Sequence, residues 1–529
     1  MKKLRFIWVL LFAVMIGGCE LFTGSDDEVE EPTAEKKFVW NAMNYWYYWQ
    51  GDVTELRDNF FKNDDQFYRY LNEFSDAEGV FESLRHPDDD FSFFIDDYEE
   101  YNRAQNGVQA ALGLNYGFIC KNGGCSEENP QAELVGYIRY VIPGTPADEA
   151  GLERLELFTK VDGTTIKMNN YLNLLSSNTA HDLTMARLET SAEGIQYVEE
   201  ETITVNSIEV KENPVFKGEV IDTTGVNIGY LVYNFFSDSS AYHKELNNAF
   251  AEFQSQNIDD LVLDLRYNGG GSVLTSQLLA SLISGLGSSD KYATLNYNEK
   301  RSANSRDLFF LDEVPLKNEE GQFENSEPIN SLSLPSVYVL TSNNTASASE
   351  AVINSLDPYI DVTIIGLKTV GKDKGSLTLY DKKAPYTWNE NPNDEKPDPN
   401  PDHKKAIQPI VTKIVNSQGA DYPQGFEPIG YDPDLNNGSG GCPDDPTDNC
   451  VNEISVSNLK EKPKLGSPDE PLFSRAIDII IGQTAKQKKT TESDIPALRV
   501  IEMKNGVQDL RPNGHGMYIE PFMMPADRK

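Results

Sequence analysis

Apolar and polar positions along the chain fall into distinct rhythms. An apolar run from Phe6 to Ile16 follows Met1-Lys2-Lys3-Leu4-Arg5 and precedes Gly17-Gly18-Cys19. It is too short to cross a bilayer as a helix. A charged start, a short apolar run and small residues read as an export leader over residues 1–18. Residues 38–105 open on a dense aromatic stretch, FVWNAMNYWYYW, and continue with Phe60, Phe67, Tyr70, Leu71 and Phe74 at helical spacing. They predict a small helical region. Residues 106–200 read as strand, turn, short helix and strand, a small β-rich domain. From 201 to 484 the rhythm changes again. Buried strands are expected at 226–236, 261–266, 334–342 and 361–367. Helices are expected at 240–256, with apolar Leu246, Ala249, Phe250 and Phe253, and from about Ala346 to Leu356. Strands alternating with helices predict an α/β layer with parallel strands. Two polar stretches, 381–405 and 430–466, read as surface insertions, and 485–529 is a C-terminal tail with no interpretable motif.

The chain has 529 residues, which predicts two to four domains. Its 46 basic and 84 acidic side chains give a net charge of −38. That excess argues against nucleic acid as a partner and against an electrostatic grip on anionic lipid. Cys19, directly after Gly17-Gly18, matches a bacterial lipobox, which implies cleavage before Cys19 and its acylation. Loss of Lys2, Lys3 and Arg5 with the leader would take the charge from −38 to −41. Residues 19–37 then form an acidic tether. The expected location is the cell envelope, lipid-anchored to the outer membrane, on its periplasmic or surface face. The other four cysteines form two close pairs, Cys120 with Cys125 and Cys442 with Cys450. Local disulfides are the simplest of three connectivities in an exported protein. Each pair sits among Gly, Asn, Asp and Pro, so each is expected to staple a surface loop. Zinc is the rival, but no histidine neighbours either pair.

Candidate chemistry concentrates after the strand ending near Ser342. In Asn343-Asn344-Thr345-Ala346-Ser347-Ala348-Ser349-Glu350, small residues begin a helix. Such a junction lets a substrate backbone approach, and the helix N-terminus offers free N–H groups to a developing oxyanion. Ser347 is there a candidate nucleophile, although serine at a helix start is commonly only a cap. Lys372, in Thr369-Val370-Gly371-Lys372, also follows a parallel strand, so the two could meet at one sheet edge. A lysine works as a base only when neutral, which burial favours. Lys374 is the rival base. The histidines His86, His181, His243, His403 and His515 lie in no motif, which disfavours a Ser/His/Asp triad. Asp264 and Arg266 read as an internal polar pair. Asp88-Asp89-Asp90 reads as a turn, with calcium as the alternative. No cofactor or metal is expected.

Taken together, TASASE, TVGK, LVLDLRYNGGGS and the segment Leu465 to Leu472 resemble the carboxyl-terminal processing peptidases, or tail-specific proteases. The resemblance covers about residues 38–484. It implies a multidomain α/β protein whose catalytic core is of the tricorn-core, ClpP/crotonase-like type. It further implies a serine endopeptidase working through a dyad of Ser347 and Lys372 and an acyl-enzyme. Glu350 takes a supporting role, and the N–H groups of Gly270 and Ala348 form the oxyanion hole. Residues 106–200 resemble a PDZ domain, with Gly113-Leu114-Asn115-Tyr116-Gly117-Phe118 as the loop that holds a peptide carboxylate. The implied partners are proteins or peptides with a free C-terminus. Two departures stand out. Arg154-Leu155-Glu156 replaces the usual Arg-Gly-Asp turn, and Leu tolerates positive φ poorly, so a different turn is expected. Ser376 stands where relatives often carry a glutamine that orients the lysine, so another group must do this. The competing reading is an inactive homologue that binds peptides as an envelope lipoprotein.

Overall fold

The structure is a computed structural model. It describes residues 29–482, 498–501 and 517–519, apart from 106–107, 127, 176–178, 192–193, 319–322, 324–325, 382–399, 436–440 and 444–447. The leader, Cys19, His515 and most of the first polar insertion lie outside the described residues. No helix among those described is long and apolar enough to cross a membrane.

The expected α/β layer is a five-stranded sheet. Val215–Thr223 pairs antiparallel with Val226–Tyr233, and then Asp260–Asp264, Ser336–Thr341 and Asp361–Gly366 follow in parallel. Its inner strands are near-continuous apolar runs because both faces are covered. One face packs on helices Ser240–Ser255, Val273–Ser284 and Ala348–Leu356, the other on Pro471–Ile480. Ser240–Ser255 turns Leu246, Phe250 and Phe253 inward. Each such side chain contributes about 1.5–3 kcal/mol when fully buried. Val273–Ser284 is buried nearly all round, capped by Ser272, whose Oγ accepts from Thr275 N–H, and closed by Gly285 in the left-handed region. A second sheet is antiparallel, in the order Arg306–Phe309, Lys291–Tyr297, Ile410–Asn416, Lys374–Ser376.

The N-terminal region contains helices Ala34–Trp46, Asp64–Asn72, Ala77–Ser83 and Tyr98–Gln105. The first begins before residue 37, inside the expected tether. These helices are not a detached domain. Phe38, Val39, Ala42, Met43 and Trp46 share one core with the α/β layer, and Tyr48 N–H donates to Ile410 C=O at 2.8 Å.

The β-rich domain is a sheet in the order Val500–Ile501, Leu114–Cys120, Leu134–Val141, Leu157–Val161, His181–Ser191, Gly194–Val205, with the short helix Pro146–Glu149. The last hairpin crosses residue 200, and Ile208–Lys211 pairs back onto Val108–Ala111, so the unit runs to Lys211. The turn at Leu155 keeps positive φ (65°) without glycine. Its strain, about 1–3 kcal/mol, is offset because Leu155 is fully buried against Ile119, Val135, Val456 and Leu459. The second polar insertion is not confined to the surface. Glu453, Ile454, Val456, Leu459 and Leu465 are all buried, because Glu453 neutralises two buried arginines and the rest cover the β-rich domain and the sheet.

The cysteine pairs depart from the expected surface staples. The sulfur atoms of Cys120 and Cys125 lie at bonding distance, as do those of Cys442 and Cys450. Cys125 is buried with Cys120 in the core of the β-rich domain, among Leu134 and Ile166. Cys450 is buried too, and its backbone bridges in parallel to Gly366 at the end of the α/β sheet. Cys450 N–H donates to Ile429 C=O at 3.0 Å. Around the first pair Asn122, Gly123, Gly124 and Ser126 stay exposed while Cys125 turns inward, as a small hydrophobe does. Each pair thus ties a polar loop to a core rather than closing a loop in solvent.

Candidate active site

Ser347 lies between the strand Ser336–Thr341 and the helix Ala348–Leu356, at φ 67° and ψ −114°. That positive-φ backbone costs a non-glycine residue about 1–3 kcal/mol, and it is held on several sides. Ala346 N–H donates to Asn268 C=O, Val370 N–H to Thr345 C=O, and Ser347 N–H to Glu350 Oε2 at 2.7 Å. Ser347 Oγ is buried and makes no hydrogen bond. With Glu350 it stands in a capping-box arrangement at the helix start, but its hydroxyl completes no full hydrogen bond there.

The glycine loop after Asp264 sits against it. A Cβ on Gly270 (φ 113°) would come within 2.7 Å of Ser347 Cβ and 3.0 Å of Ala348 N. Only glycine fits there. Asn268 ties the loop down: its Nδ2 donates to Tyr233 C=O at 2.7 Å, and its C=O accepts from Ser349 Oγ at 3.0 Å. Its Oδ1 accepts Gly270 N–H at 2.9 Å. The Gly270 N–H expected to face an oxyanion is therefore engaged within its own turn. Ala348 N–H, in the first turn of its helix where no intrahelical acceptor exists, lies beside the loop.

Glu350 joins the two halves of the site. Its Oε2 accepts Ser347 N–H at 2.7 Å and Lys372 N–H at 2.9 Å. Those two backbone nitrogens are thus no more than about 5.6 Å apart, the sum of both bonds. Its Oε1 accepts Thr369 Oγ1 and Gly371 N–H, each at 2.6 Å. Burial raises the Glu350 carboxyl to about 7 even though all four donors pull it down.

Lys372 is 1% exposed, and its Nζ lies 5.0 Å from the centre of the Phe91 ring. Burial lowers its ammonium to about 7, against the charges of Asp89 and Glu350, which favour the cation. Asp89 is itself buried in a turn, where it accepts Tyr47 OH, Phe91 N–H and Ser92 N–H. No cluster of His, Cys, Asp and Glu suited to a metal occurs among the described residues. The rival Lys374 is paired with Asp373 at 2.7 Å. Ser376 Oγ accepts from Gln408 Nε2 at 2.9 Å, so a glutamine does stand at this position, supplied by another strand.

Asn268, Thr369, Asp89, Phe91 and Gln408 join the site without having been singled out for it. Thr369 and Asn268 lie inside the TVGK and LVLDLRYNGGGS segments. Phe91 and Asp89 come from the N-terminal region, where only a turn was legible. The loop Gly113 to Phe118 belongs instead to the β-rich sheet. Gly113 (φ 89°) packs on Thr145, and its C=O accepts Ile142 N–H at 2.8 Å. The described histidines are engaged elsewhere: His243 with Thr275 and Pro315, His181 with Asp162, His403 with Asp381, and His86 stacked on Trp49. The four paired cysteines, Cys120 with Cys125 and Cys442 with Cys450, likewise stand outside the site.

A buried serine at a helix start is thus linked through one carboxylate to a buried lysine, residue types that can serve as nucleophile and base. The chain matches Peptidase family S41 over residues 227–381 and the Peptidase S41 N-terminal domain over residues 34–93. These matches define it as a serine-type peptidase carrying S41 family domains. It is 24% identical over 379 residues to the carboxyl-terminal-processing protease of Synechocystis sp., spanning 70% of this chain and 79% of that one. It is also 24% identical to the carboxy-terminal processing protease CtpA of Bacillus subtilis, over 70% of this chain and 68% of that one. A solved structure from Bacteroides fragilis, described as an S41 protease, aligns at TM-score 0.58 and 25% identity, covering 84% of this chain and 97% of that one.

Proposed function

We propose that the protein is an endopeptidase in which Ser347 attacks the substrate carbonyl, Lys372 is the general base, and the β-rich domain selects substrates by their C-terminal tail. The carrying observation is the shared Glu350 Oε2, which sets the backbones of Ser347 and Lys372 side by side. Neutral Lys372 takes the Ser347 Oγ proton as the oxygen attacks. An acyl-enzyme forms, and the leaving amine takes the proton from Lys372. Water then repeats the sequence in reverse. Ala348 N–H faces the developing oxyanion. Gly270 N–H joins it once it exchanges Asn268 Oδ1 for the substrate oxygen. Holding Lys372 neutral near pH 7 corresponds to roughly 5 kcal/mol of differential solvation.

This reading predicts a pH profile. The base form of Lys372 is present above about 7 and lost below it. kcat/KM for an unfolded protein should therefore fall about tenfold per pH unit below that point and level off above it. A flat profile from pH 5 to 8 rules out Lys372 as the base.

Tail selection rests on the strand Leu114–Cys120, which follows the Gly113 loop and lies at the side of its sheet where a peptide can add as a further strand. Cleavage of a peptide with a free C-terminus should exceed that of its C-terminal amide by about tenfold or more, the cost of one lost charged contact. Equal rates reject the carboxylate loop. For location we propose lipid anchoring at Cys19. Cys19→Ala should move the protein from the membrane to the soluble fraction, and an unchanged distribution rejects the anchor. An exported chain also suits disulfides joining Cys120 to Cys125 and Cys442 to Cys450.

A further inference from the structure

The tail beyond residue 485 carries no sequence motif, yet both of its described pieces pair with strand edges. Val500–Ile501 pairs antiparallel with the outer strand of the β-rich sheet, Val500 opposite Ile119 and Ile501 opposite Phe118. Cys120 N–H donates to Arg499 C=O at 2.8 Å. This is the strand that begins at the Gly113 loop.

The second piece, Met517–Ile519, lies between the two halves of the active site. Tyr518 bridges in parallel to Ser272 on one side and Ser376 on the other. Tyr518 N–H donates to Gly271 C=O at 3.0 Å, and Val273 N–H to Tyr518 C=O at 3.1 Å. Across the slot, Ser376 N–H donates to Met517 C=O at 2.9 Å, and Ile519 N–H to Ser376 C=O at 3.0 Å. Ser376 Oγ adds a bond to Met517 C=O at 2.7 Å. One wall is thus the loop whose Gly270 touches Ser347. The other is the strand that starts two residues after Lys372. A slot that pairs both edges of an extended main chain accepts a peptide irrespective of sequence, as a peptidase requires. Its specificity comes from alternate side chains, which share a face. Here Met517 and Ile519, 0% and 1% exposed, fill the apolar side.

We infer that this tail is a resident intramolecular ligand of the peptidase: Met517–Ile519 holds the cleft in the manner of a substrate, Arg499–Ile501 holds the tail-binding edge, and a substrate must displace them. The inferred cleft ligand is an extended peptide with apolar residues at alternate positions. This rests on Ser347 and Lys372 being the reacting groups.

Occupancy is read without catalysis, in the full chain carrying Ser347→Ala. Backbone hydrogen exchange at Tyr518, Ile519 and Ser376 should be slowed at least about tenfold relative to free chain. Tyr518→Pro, which removes the N–H bonded to Gly271, should abolish that protection. It should also let a fluorescent peptide of residues 513–522 bind about tenfold more tightly, because the open cleft becomes the dominant state. With Ser347 restored, Tyr518→Pro should lower KM for an unfolded protein with kcat little changed. Ile519→Asp, which alters no backbone, should act alike and guards against a local effect of proline. Exchange of Tyr518 and Ile519 at free-chain rates, or peptide binding unaffected by both substitutions, overturns the inference. Protection and tighter binding without any cleavage would instead reject the peptidase reading and leave the occupied cleft standing.

Discussion

Ser347→Ala is expected to lower kcat for cleavage of an unfolded protein by at least about 10³-fold while KM stays within a few-fold. The Oγ it removes makes no hydrogen bond, so the fold loses nothing through its polar contacts. The backbone bonds that hold residue 347 in place run through its N–H and C=O, which alanine retains. Lys372→Ala should cost a similar factor for a different reason. The nucleophile remains, but nothing near it takes the proton, because Lys374 is held by Asp373. The double variant should be no worse than either single one, since the pair acts as a unit. Lys372→Arg should not restore activity, because a guanidinium stays charged at every working pH. The measurement is single-turnover cleavage of an unfolded protein by all four variants, with thermal melts as a fold check. Wild-type cleavage retained by Ser347→Ala would sink the assignment. No cleavage by any form, with peptide binding intact, would favour the binding lipoprotein.

The parallel layer was legible in the chain because its strands are buried on both faces and read as apolar runs. Each observed strand ends within three residues of its expected bound. Ser347 and Lys372 stood out as candidates because each lies in the segment that follows such a strand. What surrounds them was not. Phe91 and Asp89 reach Lys372 from a segment whose only visible signal was a turn. Glu453 sits in a polar stretch that has every mark of a surface loop, and its partner Arg154 is 299 residues away. No local pattern encodes a pair so distant. The burial of Cys125 and Cys450 was hidden in the same way, because their polar neighbours in sequence are not their neighbours in space. Leu155 was expected to alter its turn, but burial outweighed the backbone strain. The tail gave no signal because Met517–Ile519 is held mainly by main-chain bonds, which leave no periodicity in side chains.

Arg266→Ala should produce the largest loss of stability, about 3–5 kcal/mol. The side chain is 1% exposed, and its five closest hydrogen bonds all go to carboxylates. Nε and Nη2 grip Asp264 at 2.9 and 2.8 Å. Nη1 and Nη2 reach Glu470 at 2.5 and 3.0 Å, and Nη1 reaches Glu453 at 3.0 Å. Glu470 also caps the helix Pro471–Ile480, its Oε2 accepting Phe473 N–H at 2.9 Å. Arg154 is the second cation and ties the β-rich domain to Glu453 and Tyr267. Two guanidinium groups thus balance three buried carboxylates. Removing Arg266 leaves three facing one, and the uncompensated charges carry most of the cost. The pH dependence distinguishes this from lost packing. Burial raises the Glu453 carboxyl, but Arg154 and Arg266 outweigh it and hold the group down at about 2. A depressed folded-state value means stability present above about 4.5 and lost as pH falls toward 2. The difference in urea midpoint between wild type and Arg266→Ala should therefore be largest near neutral pH and shrink as pH falls toward 2. Glu470→Gln added to Arg266→Ala should recover part of it at pH 7, by removing one charge while keeping a side-chain oxygen for the cap. A deficit that stays constant with pH would mean that packing, not charge balance, is what Arg266 supplies.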